Sequence, residues 1–169
     1  MSKIYLITGG VRSGKSSLGL KLAKNAELPF FIATATAGDN EMAERIKNHK
    51  AERSGKWTTI EEKFDIGKVV LSAVERGADL IVIDCVTLWV SNMMLSGKNI
   101  IELVDELIAE LKKTQITVVM VTNEVGLGVV PESKLGREYR DTLGKVNQTL
   151  AEAATDVLFM VSGLPMKLK

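Results

Sequence analysis

One short segment near the start of the chain limits, more than any other feature, what the chain can fold into. Residues 9–16 read Gly-Gly-Val-Arg-Ser-Gly-Lys-Ser, which fits the pattern G-x-x-x-x-G-K-[ST]. An apolar run at residues 4–8 predicts a strand before the segment, and residues 16–25 predict a helix after it. Because this strand–loop–helix context is the one that the pattern requires, we interpret residues 9–16 as a phosphate-binding loop, or P-loop.

The residue types of the P-loop suit the binding of a nucleoside triphosphate. Glycines let the backbone turn tightly and aim N–H groups at an anion, and the following helix adds the positive end of its dipole. Lys15 is expected to reach the β- and γ-phosphates and Ser16 to bind Mg²⁺, while Arg12 adds a cation that the pattern does not require. The expected nucleotide contacts here are Gly9, Gly10, Val11, Arg12, Ser13, Gly14, Lys15 and Ser16.

Strand and helix signals alternate along the rest of the chain. Apolar runs predict strands at residues 30–33, 57–60, 80–84, 116–121 and 157–161, and a short terminal strand at 166–168. Helices are predicted at residues 41–50, 65–75, 100–112 and 134–154. This order predicts one α/β domain over residues 1–169, a P-loop NTPase-type three-layer sandwich with a mostly parallel central sheet and a short C-terminal antiparallel strand.

Asp84 is the second candidate site residue, because it ends the apolar strand at residues 80–84. A carboxylate in this place commonly holds Mg²⁺ beside a P-loop, directly or through water. The alternative is an ordinary aspartate that caps a helix. The polar residues 37–54 and the Gly- and Pro-containing residues 123–136 both follow strand ends, where ligands bind in open α/β sheets. We therefore expect both segments to border the site.

Composition excludes several classes of protein. The chain has 22 basic and 21 acidic residues, a net charge of +1, which argues against nucleic acid or a membrane surface as a partner. No apolar run approaches the roughly 20 residues that span a bilayer, so we expect no membrane anchor. Cys85 is the single cysteine, which favours a reducing compartment and is interpreted as a small buried hydrophobe rather than a nucleophile. A cytoplasmic location is predicted.

His49 is the only histidine, and it lies between two arginines. Arg45, His49 and Arg53 are spaced by four residues, so a helix through all three would place them on one face. Two cations could hold a phosphate there while a neutral imidazole attacks its phosphorus. The alternative is a solvated surface histidine.

An ordered set of further residues is more specific than the P-loop alone. It consists of Phe31, Ile32, Ala33, Thr34, Ala35, Glu41, Met42, Arg45, Ile46, His49, Trp57, Glu61, Glu62, Asp84, Cys85, Val86, Thr87, Leu88, Trp89, Asn92, Val121, Thr122, Asn123, Glu124, Val125, Gly126, Gly128, Val130, Pro131, Arg137, Arg140, Asp141, Gly144, Asn147 and Gln148. With these residues the chain resembles, over nearly its whole length, the bifunctional adenosylcobinamide kinase / adenosylcobinamide-phosphate guanylyltransferase family of cobalamin biosynthesis.

The resemblance implies a two-step enzyme that requires Mg²⁺ and uses ATP or GTP. The hydroxyl of adenosylcobinamide is phosphorylated first; the histidine that matches His49 then attacks the α-phosphate of GTP and passes GMP to adenosylcobinamide phosphate. The resemblance also implies a homo-oligomer, plausibly a trimer, and catalytic roles for His49 and Lys15. Outside the P-loop it places nucleotide contacts on Ala33, Thr34, Ala35, Lys50, Ala51, Glu52, Arg53, Glu61 and Asp84.

Two positions depart from what some family members carry. Asn48 precedes His49 where those members have a second histidine, so the nucleophile is unambiguous in this chain. Asp84 stands where some members have glutamate, and its shorter side chain could move the contact to metal or nucleotide by about one methylene.

Three other functions are compatible with a P-loop. A kinase for another small alcohol would leave the face of Arg45, His49 and Arg53 without a role. A GTPase switch commonly reads guanine with an Asn-Lys-x-Asp loop, and residues 122–125 lack its Lys and Asp. A nucleic-acid motor subunit would need a basic stripe, which the near-neutral chain lacks.

Overall fold

The core of the chain is a mostly parallel sheet of seven strands. The computed structural model describes residues 2–35 and 55–169. The strands lie in the order β3-β2-β4-β5-β1-β6-β7, and neighbours are parallel except β6 and β7, which are antiparallel. Their bounds are β1 Lys3–Gly9, β2 Pro29–Ala33, β3 Thr58–Glu61, β4 Leu80–Asp84, β5 Thr117–Val121, β6 Asp156–Val161 and β7 Leu164–Lys167.

Helices cover both faces of this sheet, because residues that alternate along each strand point to opposite sides. Ile81 and Ile83 of β4 pack with helices α2 to α5, whereas Leu80 and Val82 pack on the side of α1. The three layers confirm the predicted fold class. The helix bounds are α1 Lys15–Leu22, α2 Ile66–Glu75, α3 Val86–Leu95, α4 Ile100–Lys113 and α5 Lys134–Ala153.

Most predicted elements agree with the structure to within a few residues. Strand β4 has the predicted bounds, and α1 ends at Leu22 instead of residue 25. Helix α3 was not predicted, and the terminal strand begins at Leu164 instead of residue 166. The helix predicted at residues 41–50 lies outside the described residues. Within those ranges no helix is both long and apolar enough to cross a bilayer.

The strand register aligns the candidate site residues at the carboxyl edge of the sheet. Glu61 pairs with Ala33, Ala33 with Asp84, Asp84 with Val121, and Val121 with Ile7. Strand β1 continues past this row to Gly9, where the P-loop begins. Neighbouring strands lie about 4.8 Å apart, so along this edge β5, β4, β2 and β3 end about 5, 10, 14 and 19 Å from β1.

Candidate functional site

The P-loop has backbone angles that explain its glycines. Gly9 has a φ of 147° and Gly14 a φ of 94°, both in the region that favours glycine. A Cβ atom on Gly9 would lie 2.6 Å from the carbonyl oxygen of Met160 on β6, so a larger residue could not fit there without a backbone shift. Arg12 also has a positive φ, 55°, and its side chain is exposed. The loop therefore turns tightly between β1 and α1.

Two polar side chains of the P-loop are buried. Lys15 is 7% exposed and Ser13 is 8% exposed. The Lys15 Nζ donates to the carbonyl oxygen of Gly10 at 2.5 Å, which holds the ammonium group against the loop itself. Burial lowers the pKa of Lys15, and the nearby Cys85 and Asp84 oppose that shift. The Ser13 Oγ has no hydrogen-bond partner among the described residues, so it is available to a ligand.

Asp84 lies on the same face of the sheet as α1. Because side chains alternate along a strand, Asp84 shares the face of Leu80 and Val82, which pack on the α1 side. Its charge also acts on the pKa of Lys15, which places the carboxylate near the ammonium group. Ala33 and Glu61 occupy the same row and, by the same alternation, the same face. The fold thus places the P-loop and the site residues expected on β2, β3 and β4 along one edge and one face of the sheet.

Thr34 has a structural role that its sequence position did not suggest. Its Oγ1 donates to the carbonyl oxygen of Cys85 and accepts from the Cys85 N–H, both at 2.8 Å. Its backbone N–H donates to the Asp84 carbonyl, and its own carbonyl accepts from Asn92 Nδ2. All its polar atoms are therefore used within the protein, and Thr34 fixes the segment that carries Asp84.

Cys85 follows Asp84 and begins helix α3 as its N-terminal cap. Burial, assisted by the nearby charge of Asp84, raises the pKa of its thiol to about 12. This half-buried residue is therefore a neutral thiol at physiological pH, which fits a packing role better than that of a nucleophile.

The end of β5 is held beneath the P-loop by a buried polar network. Thr122 Oγ1 donates to Asn147 Oδ1 at 2.8 Å, and Asn147 Nδ2 donates to the Asn123 carbonyl at 3.1 Å. The Asn123 N–H donates to Thr87 Oγ1 at 2.7 Å. One residue later, the Glu124 N–H donates to the carbonyl oxygen of Gly9 at 3.0 Å. The network therefore fixes a segment that supports the first residue of the P-loop.

The loop after β5 exposes apolar side chains next to the site. Leu127 is 77% exposed, Val129 93% and Val130 57%. Arg137, one of the residues that carry the family resemblance, donates to the carbonyl oxygens of Pro131 and Glu132, so it shapes this loop. Arg140 pairs with its neighbour Asp141.

Several expected site residues lie outside the described ranges, namely Arg45, His49, Lys50, Ala51, Glu52 and Arg53. Their contacts with nucleotide stay predictions. Sequence reasoning missed the supporting contacts of Thr34, Asn147 and Glu124, because each joins residues far apart in the chain. The expected metal ligands Ser16 and Asp84 lie at the start of α1 and the end of β4.

Comparison with known proteins identifies relatives over the whole chain. The family model described as cobinamide kinase / cobinamide phosphate guanyltransferase matches residues 5–168. The chain is 43% identical over 172 residues to the bifunctional adenosylcobalamin biosynthesis protein CobP of Pseudomonas aeruginosa, covering 97% of this chain and 96% of that protein. It is 38% identical over 181 residues to the protein CobU, of the same description, from Salmonella typhimurium, covering 98% and 99%.

Solved structures confirm the fold class at low sequence identity. The flagellar accessory protein FlaH of Methanocaldococcus jannaschii has a TM-score of 0.58 at 18% identity, covering 99% of this chain and 78% of that one. An ATPase of a bacterial type III secretion system has a TM-score of 0.60 at 13% identity, covering 98% and 56%. Identities this low show a shared fold and carry no argument about activity.

Proposed function

The chain belongs to the cobinamide kinase / cobinamide phosphate guanyltransferase family, and from that premise we propose that it carries out both reactions. It phosphorylates adenosylcobinamide with ATP or GTP, and then transfers GMP from GTP to the phosphorylated product. The observation that carries this proposal is the P-loop, with Ser13 buried and Lys15 buried near Asp84, in a chain that its family model matches from residue 5 to 168.

The kinase step needs positioning and charge neutralisation more than covalent chemistry. The substrate hydroxyl attacks the γ-phosphorus, the bond to the β-phosphate oxygen breaks, and the hydroxyl proton is released as the nucleoside diphosphate leaves. The Lys15 ammonium is poised to leave the Gly10 carbonyl for the β- and γ-phosphates, and the Ser13 hydroxyl can donate to a phosphate oxygen. Interactions that strengthen as charge shifts to the leaving group lower the barrier.

The guanylyl step uses His49 as the nucleophile. An imidazole nitrogen attacks the α-phosphorus of GTP, a P–N bond forms, and pyrophosphate leaves. A phosphate oxygen of adenosylcobinamide phosphate then attacks the same phosphorus, the P–N bond breaks, and adenosylcobinamide-GDP is released with a free imidazole. Support comes from the sequence alone, because His49 is the only histidine and lies between Arg45 and Arg53.

The donors at the site fit Mg²⁺. The Ser16 hydroxyl and the Asp84 carboxylate are both hard oxygen ligands, and among the described residues no group of three His, Cys, Asp or Glu side chains converges. Mg²⁺ commonly takes one or two protein ligands and completes its shell with phosphate oxygens and water. When bound, the ion would neutralise charge on the β- and γ-phosphates, while Thr34 holds the segment that carries Asp84.

Replacing Asp84 tests this assignment. In Asp84→Asn we expect the Mg²⁺ concentration for half-maximal kinase rate to rise roughly 10- to 100-fold, because a neutral amide is a weaker ligand or anchor for a bound water. The measurement is a Mg²⁺ titration of the initial rate at saturating nucleotide. Asp105→Asn, an exposed position on α4, is the matched control. An unchanged Mg²⁺ requirement in Asp84→Asn would contradict the metal role.

We propose that the acceptor approaches over the loop after β5. This loop presents Leu127, Val129 and Val130 to solvent, and its first residues contact the P-loop through Glu124 and Gly9. A large, partly apolar substrate could cover these side chains while its hydroxyl reaches the γ-phosphate. A homo-oligomer, with a trimer as the expected state, is also proposed; the exposed apolar side chains of Leu164 and Met166 on β7 support it.

Product analysis tests the whole proposal. With adenosylcobinamide, GTP and Mg²⁺, we expect mass spectrometry to detect adenosylcobinamide phosphate and adenosylcobinamide-GDP, with release of GDP and pyrophosphate. A simple kinase would stop at the phosphate ester and release no pyrophosphate. A GTPase switch would yield GDP and inorganic phosphate and leave the corrinoid unchanged. Either of those product patterns would overturn the bifunctional assignment.

A further inference from the structure

The turn between β6 and β7 lies against the P-loop, although nearly 150 residues separate them in the chain. Ser162 has a φ of 49° and Gly163 a φ of 84°, and Val161 pairs with Leu164 across them. Two central residues with positive φ are typical of the tight type I′ hairpin turn. The mechanism described above gives this turn no role.

The turn makes a hydrogen bond to the P-loop and packs closely on it. The Gly163 N–H donates to the carbonyl oxygen of Ser13 at 3.1 Å. A Cβ atom on Gly14 would lie 3.4 Å from Gly163 Cα and 3.4 Å from Met160 Cε. At Gly9 the neighbour at 2.6 Å is again Met160, through its carbonyl oxygen. The β6–β7 hairpin therefore contacts both ends of the loop.

The direction of one peptide group follows from that hydrogen bond. In a planar trans peptide, the carbonyl oxygen and the N–H of the next residue point in opposite directions. Because the Ser13 oxygen points at the hairpin, the Gly14 N–H points away from it. We infer that the β6–β7 turn is a positioning element, in which the Gly163 N–H holds the Ser13 carbonyl so that the Gly14 amide faces a bound phosphate. The inference rests on the proposed nucleotide binding.

Gly97, elsewhere in the fold, provides a matched control for a substitution at Gly163. A Cβ atom at Gly163 or at Gly97 would meet nothing within 4 Å, and both residues have positive φ, 84° and 69°. An alanine at either position therefore costs backbone strain without a steric clash. Gly97 follows α3, and its N–H donates to the Met94 carbonyl, so it stabilises a helix end and does not contact the P-loop.

The experiment measures binding of a fluorescent GTP analogue with Mg²⁺, together with the melting temperature of each variant. In Gly163→Ala the backbone N–H remains, but the strain of a positive φ should shift the turn and move that N–H away from the Ser13 carbonyl oxygen. We therefore expect the dissociation constant to rise roughly threefold to tenfold, the range given by loss of one hydrogen bond. Gly97→Ala should lower the melting temperature comparably and leave binding unchanged. Gly163→Asn should restore binding, because asparagine tolerates a positive φ better than alanine does and so leaves the N–H in place.

A backbone ester at position 163 removes the N–H alone and keeps the test decisive if Gly163→Ala folds poorly. It should weaken binding by the same factor, whereas an ester at position 97 should not. Equal binding by the 163 and 97 variants would overturn the positioning role while leaving the proposed function intact. A wild-type chain that bound no nucleotide in this assay would instead remove the proposed function and the inference with it.

Discussion

Lys15→Met is expected to lower kcat/KM for phosphorylation of adenosylcobinamide by about 100- to 1,000-fold, the usual effect of removing one preorganised group that stabilises transition-state charge. Methionine keeps most of the length of the side chain and its apolar stem, so the loss isolates the ammonium group. That group is buried and donates a hydrogen bond to the Gly10 carbonyl oxygen. It is therefore held where the β- and γ-phosphates are expected to bind.

The same substitution should not weaken the fold. Burial lowers the pKa of Lys15, which means that the folded state disfavours the charged form relative to the unfolded chain. A neutral side chain removes that cost, so we expect the melting temperature of Lys15→Met at pH 7 to match or exceed that of the wild type. In the wild type, the free energy of unfolding should rise with pH over the range between two pKa values of Lys15. The lower limit is its lowered pKa in the folded state and the upper limit is 10.5, its pKa in the unfolded chain, because the unfolded chain binds more protons in this range.

Lys21→Met is the matched control, because Lys21 lies in the last turn of the same helix and is exposed. Initial rates at saturating and limiting nucleotide, with thermal melts of all three proteins, complete the measurement. Comparable losses of rate in Lys15→Met and Lys21→Met would contradict a specific role for Lys15. A lower melting temperature in Lys15→Met alone would contradict the assigned cost of burying its charge.

The parts of the fold that depend on local pattern were predictable from sequence. The P-loop, β4 and the amphipathic helix α4 have signals within a few residues: a glycine pattern, an apolar run, and a stripe that includes Val104, Leu107 and Leu111. The signal in helix α3 is weaker, because apolar residues lie on most of its sides. The buried residues Val86, Trp89, Val90 and Met93 do recur at helical spacing. However, Leu88 and Leu95 lie on the opposite side, so the sequence shows little contrast between the two sides of this helix.

The supports of the site could not be predicted, because each depends on the tertiary structure. Asn147 reaches Thr122 across 25 positions, and Thr34 reaches Cys85 across 51. Nothing in the sequence near Thr34 distinguishes a hydroxyl that contacts nucleotide from one that bonds only to the protein. The dipeptide Ser162-Gly163 signals a turn, but only the folded sheet shows that this turn lies on the P-loop.

His49→Ala is expected to lower GMP transfer roughly 10³-fold or more, because the nucleophile of a covalent mechanism has no substitute. The kinase step should keep most of its rate, since Lys15, Ser13 and Asp84 remain in place. With GTP labelled at the α-phosphate, the wild type should acquire one covalent label that is lost in acid and retained in alkali, as a P–N bond requires. The variant should acquire none.

Asn48→Ala controls for a change in the same segment, because Asn48 precedes His49 and carries no group that can attack phosphorus at neutral pH. It should label and transfer GMP at nearly the wild-type rate. If His49→Ala lost kinase activity and GMP transfer to the same extent, the two roles would not be separable and the histidine would act in binding. If His49→Ala still acquired the label, the covalent step would belong to another residue. Only one outcome fits the proposal, in which His49→Ala loses the label and GMP transfer but retains phosphorylation. That outcome is the one expected of a kinase site in the P-loop and a separate histidine nucleophile that attacks the nucleotide bound there.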